Sequence, residues 1–141
     1  EWNGLMSCRS GEEISAWAGE CLSAMAARRL TVGKKSREYV ERSLIYMEQH
    51  FVEDISLEQA AEASGISTFY LSRLFKQELD STFVKILTDI RMSHALGMIW
   101  VNRYPVKVIG EKSGYPNITY FYKIFKKYTG MSLSEIREYL E

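Results

Sequence analysis

The sequence contains one pattern twice, in two segments that lie about fifty residues apart. Residues 61–65 are Ala-Glu-Ala-Ser-Gly and residues 110–114 are Gly-Glu-Lys-Ser-Gly, while Leu-Phe-Lys at 74–76 is matched by Ile-Phe-Lys at 124–126. Self-similarity of this length indicates a duplicated supersecondary unit, and two copies are fewer than a solenoid needs. The chain is therefore expected to fold as a pair of related units.

The first copy predicts two helices joined by a tight turn. Ser56 can cap the first helix, with Gln59 three residues later as in a capping box, and Gly65 can end it in a left-handed conformation. Ser67 can cap the second helix, which runs to about residue 79. The spacing of its apolar residues predicts one buried stripe, formed by Leu71, Leu74 and Phe75.

The second copy predicts the same arrangement. Pro105 is tolerated in a first helical turn, so a short helix is expected over residues 106–113, with Gly114 at its end. Asn117 can open the next helix, which closes at about residue 130. A duplicated helix-turn-helix is the economical interpretation of the two copies.

Three further helices are predicted around these units. Residues 36–51 carry apolar side chains every three or four positions, which indicates a helix that packs on the core. A last helix is expected over residues 132–140, and a long one over residues 81–101. The long helix is expected to place its apolar residues on one side: Phe83, Ile86, Leu87, Ile90, Leu96 and Ile99.

These elements predict an all-α fold in which two helix-turn-helix subdomains are joined by a long linker helix. Because 141 residues are too few for two ordinary domains, we expect one double helix-turn-helix domain over residues 36–141. Its first unit covers about residues 36–80, the linker helix about 81–101, and the second unit about 105–141.

Residues 1–35 stand apart as a predicted N-terminal arm. Within it, residues 11–32 carry an amphipathic stripe that includes Ile14, Trp17 and Met25. One interpretation is the end of an upstream domain, or a helix that packs on the rest of the chain; the other is a helix that forms a homodimer. Because the first residues include no initiator Met, we expect an upstream domain in the full-length chain.

Several functional classes are disfavoured by the sequence. No apolar run approaches the roughly 20 residues of a membrane helix, and no signal peptide begins the chain, so a cytoplasmic protein without membrane contact is expected. Cys8 and Cys21 are not spaced for zinc, and His50 and His94 are isolated, so no metal or other cofactor is predicted. No nucleophile stands beside a base, so the protein is not expected to be an enzyme, nor a DNA-modifying one that uses this module for targeting.

From residue 57 to residue 139 the chain resembles the DNA-binding domain of the AraC/XylS family of bacterial regulators. The resemblance rests on residues 56–61 and 67–76 in the first unit, on Ile-Arg at 90–91 followed by Ala95, and on residues 109–115, 120–132 and 136–137 in the second unit. Three positions depart from the family pattern. Asp80 stands in place of a glycine, Leu133 in place of a proline, and Gly110 in place of an alanine, the last at a cost of about 1 kcal/mol in helix propensity.

The resemblance implies that the second helix of each unit lies in a major groove of double-stranded DNA. The residues that it implies at this interface are Thr68, Phe69, Ser72, Arg73 and Lys76 in the first unit, and Asn117, Ile118, Thr119, Tyr122, Lys123, Lys126 and Lys127 in the second. Arg73 is interpreted either as a guanine contact or as a phosphate clamp. Ile118 is interpreted either as a contact for a thymine methyl group or as an ordinary exposed residue.

Charge is distributed unevenly although the formal net charge is zero. Residues 103–127 contain six basic residues against Glu111 alone, whereas residues 55–80 contain two basic and four acidic residues. The second unit is therefore expected to supply most of the salt-dependent affinity for DNA. The alternative is that its lysines form only a solvated face. The lysines concerned are Lys107, Lys112, Lys123, Lys126 and Lys127. Tyr120, Phe121 and Phe125 have the spacing of core residues and are not expected to stack on single strands.

The predicted function is sequence-specific binding of double-stranded DNA by a transcriptional regulator. The family resemblance further implies contact with RNA polymerase in activation, and a receiver or small-ligand sensor domain upstream. Activator and repressor both remain open. The alternative is a protein-interaction module that has lost DNA binding, which the neutral net charge and the acidic first unit favour.

Overall fold

The computed structural model describes residues 33–102 and 104–140. The amphipathic stripe at residues 11–32 and both cysteines lie outside the described residues, so the two interpretations of the arm stay predictions. Every regular element in the described part is an α-helix, which confirms the predicted all-α fold. The described chain divides into two compact units, one ending at Ile90 and the other beginning at Arg91.

The first unit is built from three helices and the beginning of a fourth. These helices are α1 (Lys34–His50), α2 (Leu57–Ser64), α3 (Thr68–Leu79) and α4 (Phe83–Asn102). Helices α1, α2 and α3 pack against one another. Their apolar faces form one core, in which Met47, Leu71 and Phe75 are fully buried.

Side chains cap α2 and α3 where the sequence predicts it. The Gln59 backbone N–H donates to Ser56 Oγ at 3.3 Å, and the Ser56 backbone N–H donates to Gln59 Oε1 at 2.9 Å, which completes the capping box. Helix α2 ends at Gly65, whose φ of 73° is left-handed. Ser67 Oγ then accepts from the Tyr70 backbone N–H at 3.2 Å. These bonds satisfy backbone N–H groups that have no partner within the first turn of a helix, and they therefore stabilise the starts of α2 and α3.

Helix α3 ends at Asp80, the position where the family pattern has glycine. Asp80 has a φ of 46° and is the one non-glycine residue with positive φ in the part of the chain that the structure describes. Aspartate tolerates this conformation better than most residues with a side chain. The departure from the family pattern therefore leaves the left-handed cap of α3 in place.

Helix α4 belongs to both compact units. It is 20 residues long, which corresponds to about 30 Å. The prediction that its apolar residues lie on one side was wrong. Ile86 and Leu87 are buried in the core of the first unit, whereas Ile99, together with Met92 and Ala95, is buried in the core of the second. The helix runs through both units, and each unit buries its own set of residues.

The second unit continues with α5 (Val106–Lys112), α6 (Ile118–Thr129) and α7 (Leu133–Leu140). Pro105 is the N-cap residue of α5. Asn117 caps α6, because its Oδ1 accepts from the Tyr120 backbone N–H at 3.0 Å, and Gly130 ends α6 with a φ of 76°. The core of this unit includes the fully buried Phe121 and Phe125.

The other two departures from the family pattern have a structural explanation in the second unit. Leu133 is the first residue of α7 and is only 1% exposed, so it contributes to the core. A Cβ on Gly110 would lie 3.1 Å from the carbonyl oxygen of Tyr115 and 3.3 Å from the ring of Phe121. Glycine at residue 110 therefore lets α5 lie close to α6, which offsets its lower helix propensity.

Helix α7 also begins with a reciprocal cap. The Ser132 backbone N–H donates to a Glu135 carboxylate oxygen at 2.6 Å, and the Glu135 backbone N–H donates to Ser132 Oγ at 3.2 Å. The hydrogen bond from the Ser132 backbone, followed by one from its side chain, lowers the pKa of Glu135 from its ordinary value.

Within the described residues, no helix is both long enough and apolar enough to cross a membrane.

Candidate nucleic-acid interface

Helix α3 presents one polar face to solvent because its opposite face is anchored in the core. Leu71, Leu74, Phe75 and Leu79 are buried. Of the five residues implied at the DNA interface in this unit, Thr68 is half-buried and the other four are exposed: Phe69, Ser72, Arg73 and Lys76. The structure therefore brings the exposed residues together along one helix of 12 residues.

Two features of α3 distinguish its exposed residues from one another. Phe69 is 78% exposed, near the start of the helix, although a phenylalanine is normally at least partly buried. Lys76 lies 3.2 Å from the Asp80 carboxylate, Nζ to Oδ1. This pair partly neutralises the Lys76 charge, so Arg73 is the stronger candidate on this helix to contact nucleic acid.

Helix α6 presents a face that is richer in positive charge. Phe121 and Phe125 anchor it in the core. Lys123, Lys126 and Lys127 are all exposed, and α6 contains no acidic residue. The remaining residues implied at the interface are also exposed: Asn117, Ile118, Thr119 and Tyr122. Ile118 is 36% exposed and Tyr122 is 44% exposed. The Asn117 Oδ1 atom is occupied by the cap of α6, which leaves its NH₂ group to donate.

The predicted burial of the α6 aromatic residues is correct for two of the three. Phe121 and Phe125 are fully buried, but Tyr120 is 52% exposed, so its assignment to the core was wrong. Tyr120 lies in the first turn of the helix, one residue before the fully buried Phe121. Its ring packs at 6.0 Å, between centroids, from the ring of Tyr115.

Helices α3 and α6 correspond residue by residue at a separation of about fifty residues. Both contain 12 residues, both are preceded by a side-chain N-cap, and both end in a left-handed residue. Arg73 corresponds to Lys123, Lys76 corresponds to Lys126, and Ser72 corresponds to Tyr122. The two presented faces therefore have the same geometry within each helix but different chemistry.

Two arginines make contacts that no local sequence pattern predicts. The guanidinium of Arg91 lies 5.2 Å from the centroid of the Tyr115 ring, and that ring packs against Phe121. Arg137 also donates to the Tyr104 backbone carbonyl. Arg91 and Arg137 are both in the family pattern, but their partners Tyr115 and Tyr104 are far away in the sequence, so only the structure pairs them.

Lys112 is one of the lysines expected to contribute to the salt-dependent affinity for DNA, and it lies near an aromatic ring. Its Nζ lies 5.7 Å from the centroid of the Tyr104 ring. A cation–π contact of this kind holds the side chain on the protein surface.

Among the described residues, no group of three His, Cys, Asp or Glu side chains could hold a metal ion.

Comparison with known proteins matches residues 60–139 to a family described as a helix-turn-helix domain. That match covers more than half of the chain. The chain belongs to the AraC/XylS family. Members of this family are DNA-binding transcriptional regulators and not enzymes, so the described helices form the DNA-binding part of such a protein.

Relatives within the AraC/XylS family include a response regulator and an operon regulatory protein. The C-terminal domain of AraT, a response regulator from Geobacillus stearothermophilus, is 39% identical and superposes with a TM-score of 0.67, over 71% of this chain and 84% of that one. The uncharacterized transcriptional regulatory protein YesN of Bacillus subtilis is 41% identical over 70 residues, which are 48% of this chain and 19% of YesN. The arabinose operon regulatory protein of Salmonella typhimurium is 29% identical, over 90% of this chain and 51% of that protein. The chain thus spans about half or less of these two curated relatives.

Proposed function

We propose that this chain binds a specific sequence of double-stranded DNA by placing α3 and α6 in two successive major grooves. The observation that carries the proposal is the pair of matched helices, each 12 residues long, each anchored in a core by one face and each presenting an exposed polar or basic face. A major groove about 12 Å wide admits one such helix. The two units follow one another in the chain, and α4 contributes residues to the core of each.

The chemistry of the two faces supports a division of roles. Arg73, on α3, can donate two hydrogen bonds to O6 and N7 of a guanine, which discriminates against other bases by about 1 to 3 kcal/mol. On α6, Lys123, Lys126 and Lys127 are exposed and the helix contains no acidic residue, which suits contacts with phosphate groups. The Glu135 carboxylate of α7 interacts electrostatically with Lys126 alone among these three lysines. We therefore propose that α3 contributes more to sequence discrimination and α6 more to overall affinity.

The remaining residues, all exposed except the half-buried Thr68, complete these two contact surfaces. On α3 they are Thr68, Phe69, Ser72 and Lys76, and on α6 they are Asn117, Ile118, Thr119 and Tyr122. We propose that the hydroxyl and amide groups among them donate to phosphates or base edges, and that Ile118 contacts an apolar group in the groove. Lys76 lies beside the Asp80 carboxylate, so we propose that it contributes less than Arg73.

For the full-length protein we propose a cytoplasmic transcriptional regulator that carries a receiver or sensor domain upstream of residues 36–141. The similarity to the C-terminal domain of a response regulator supports a receiver domain. Activation through contact with RNA polymerase, and dimerisation through residues 11–32, are proposals that follow from the family and from the amphipathic pattern of that segment.

The proposal is tested by selecting binding sites from random duplex DNA with the whole chain. We expect an asymmetric site with two elements about one helical turn apart. Arg73→Ala should relax the base preference in one element, whereas Lys123→Ala should weaken binding to all sequences to a similar degree.

The same experiment can overturn the proposal. If no sequence is enriched, and weak binding is indifferent to both substitutions, the chain does not read DNA through α3 and α6. The alternative would then be a protein-interaction module, for which the neutral net charge and the acidic residues of the first unit would be the starting observations.

A further inference from the structure

Phe69 is the most exposed of the large apolar side chains in the described residues, at 78%. An exposed apolar ring is unfavourable in water, by an amount that scales with its area. The next aromatic residue, Tyr70, is turned to the body of the first unit, because its ring packs edge-on against Tyr39 and its hydroxyl lies 3.4 Å from Ser36 Oγ. Phe69 thus stands alone as an apolar group on the exposed face of α3.

The position of Phe69 relative to Arg73 limits how far apart along DNA the bases can lie that these two side chains contact. The two residues are four positions apart on α3, so they are neighbours on one face, with Cβ atoms about 6 Å apart. Base pairs are stacked about 3.4 Å apart along DNA. Side chains with this spacing reach bases that are one to two base pairs apart.

The chemistry of the major groove leaves one apolar target for Phe69. Each base edge there presents hydrogen-bond donors or acceptors, and thymine also presents a methyl group at C5. A phenyl ring cannot form the hydrogen bonds but can cover the methyl group. We infer that Phe69 contacts a thymine methyl group within about two base pairs of the guanine that Arg73 binds, so that α3 selects DNA containing this thymine and guanine. This inference rests on the proposed function, in which α3 lies in the major groove.

The surroundings of Phe69 argue for a base contact rather than for a protein partner. The next exposed side chains along this face are Ser72, Arg73 and Lys76, so on α3 the ring is not part of a continuous apolar patch. Protein-binding surfaces are marked by such contiguous patches. A single ring beside a hydroxyl group and a guanidinium group instead matches the mixed apolar and polar edge of a thymine and guanine.

The test replaces each thymine of the selected site, one at a time, by deoxyuridine, which lacks only the methyl group. For the wild-type chain, we expect one such replacement near the guanine of the first element to weaken binding about fourfold, the effect of removing one buried methyl-sized group. With Phe69→Ala, the same replacement should change the affinity less than about 1.5-fold, because the ring that covers the methyl group is gone.

Two controls accompany this double-mutant cycle. Val84→Ala removes a similarly exposed apolar side chain outside the two presented faces and should preserve the fourfold effect. Arg73→Ala should preserve it too, while abolishing the effect of replacing the nearby guanine by 7-deazaguanine, which lacks N7. Circular dichroism confirms that each variant retains its helices.

The outcomes separate failure of this inference from failure of the proposed function. If the chain selects a site that depends on Arg73, but the deoxyuridine effect is the same in wild type and Phe69→Ala at every thymine, the role of Phe69 is wrong and the proposed function stands. If no site is selected, both are overturned.

Discussion

Single residues at helix ends decide where the elements of this protein stop. Asp80 ends α3 with a φ of 46°, whereas Gly130 ends the corresponding helix α6 with a φ of 76°. A residue with a Cβ is strained in this conformation, by about 1 to 2 kcal/mol for an ordinary residue and less for aspartate. The Asp80 charge also lies at the carboxyl end of a helix, where a negative charge is unfavourable. The cap of α3 is therefore weaker than the cap of α6.

We predict that Asp80→Gly increases the free energy of unfolding by about 0.5 to 1 kcal/mol. The variant loses the pair between Lys76 and Asp80, but both side chains are largely exposed, so that pair contributes little. Chemical denaturation followed by circular dichroism measures the change. Asp80→Asn separates the charge from the backbone strain and should give a smaller increase.

A reciprocal substitution provides the matched control for this prediction. Gly130→Asp places the same side chain at the equivalent position of the second unit, where no atom lies within 4 Å of the added Cβ. It should lower stability by a similar amount, because only the conformational strain and the charge are added. Equal stability of all four proteins would show that these caps do not differ as the structure indicates.

We propose that individual helices carry different shares of the interaction with DNA. Helix α6 presents three exposed lysines, Lys123, Lys126 and Lys127, and no acidic residue. Helix α3 presents Arg73 and the partly neutralised Lys76, and it also contains Glu78. Electrostatic affinity for DNA comes from the release of counterions as phosphates are neutralised, so it should follow the number of these lysines that contact the backbone.

We predict that replacing Lys123, Lys126 and Lys127 together by Gln reduces the slope of log affinity against log salt concentration by about 2 to 3. Fluorescence anisotropy with a labelled duplex, titrated at several salt concentrations, measures the slope. The matched control replaces Lys34 and Lys35, which are exposed at the start of α1, and should change the slope by less than about 1. An unchanged slope in the triple variant would assign its lysines to a solvated face.

The helices and their caps could be predicted from sequence because their causes are local. Ser56, Ser67 and Asn117 bond to backbone groups three residues later, and Gly65 relieves a local steric constraint. The face of α4 could not be predicted in this way. Its burial depends on which unit packs against each part of the helix, and that information lies in residues distant in sequence.

The same limit applies to the candidate interface. The buried residues of α3 define its exposed face by simple periodicity, but periodicity assigned Tyr120 to the core, where the structure has it half exposed. The contacts of Tyr115 with Arg91 and of Tyr104 with Lys112 join residues that no local pattern links. Sequence therefore predicts which residues a helix presents, and only the structure identifies what supports them.

At the scale of the whole molecule, the proposed function requires the two units to act on one stretch of DNA. Each unit has its own core and its own presented helix, and α4 contributes residues to both cores. The proposed site has two elements about one helical turn apart. We therefore predict that binding depends on the spacing between these two elements.

The most direct test of this central claim inserts five base pairs, about half a helical turn, between the two elements of the selected site. We predict that the insertion lowers affinity at least tenfold and removes protection of one element in a hydroxyl-radical footprint, because α3 and α6 can no longer face their elements together. Replacing the spacer by another sequence of the original length is the control and should preserve both. If both elements remain protected at unchanged affinity after the insertion, the two units do not read DNA as a connected pair.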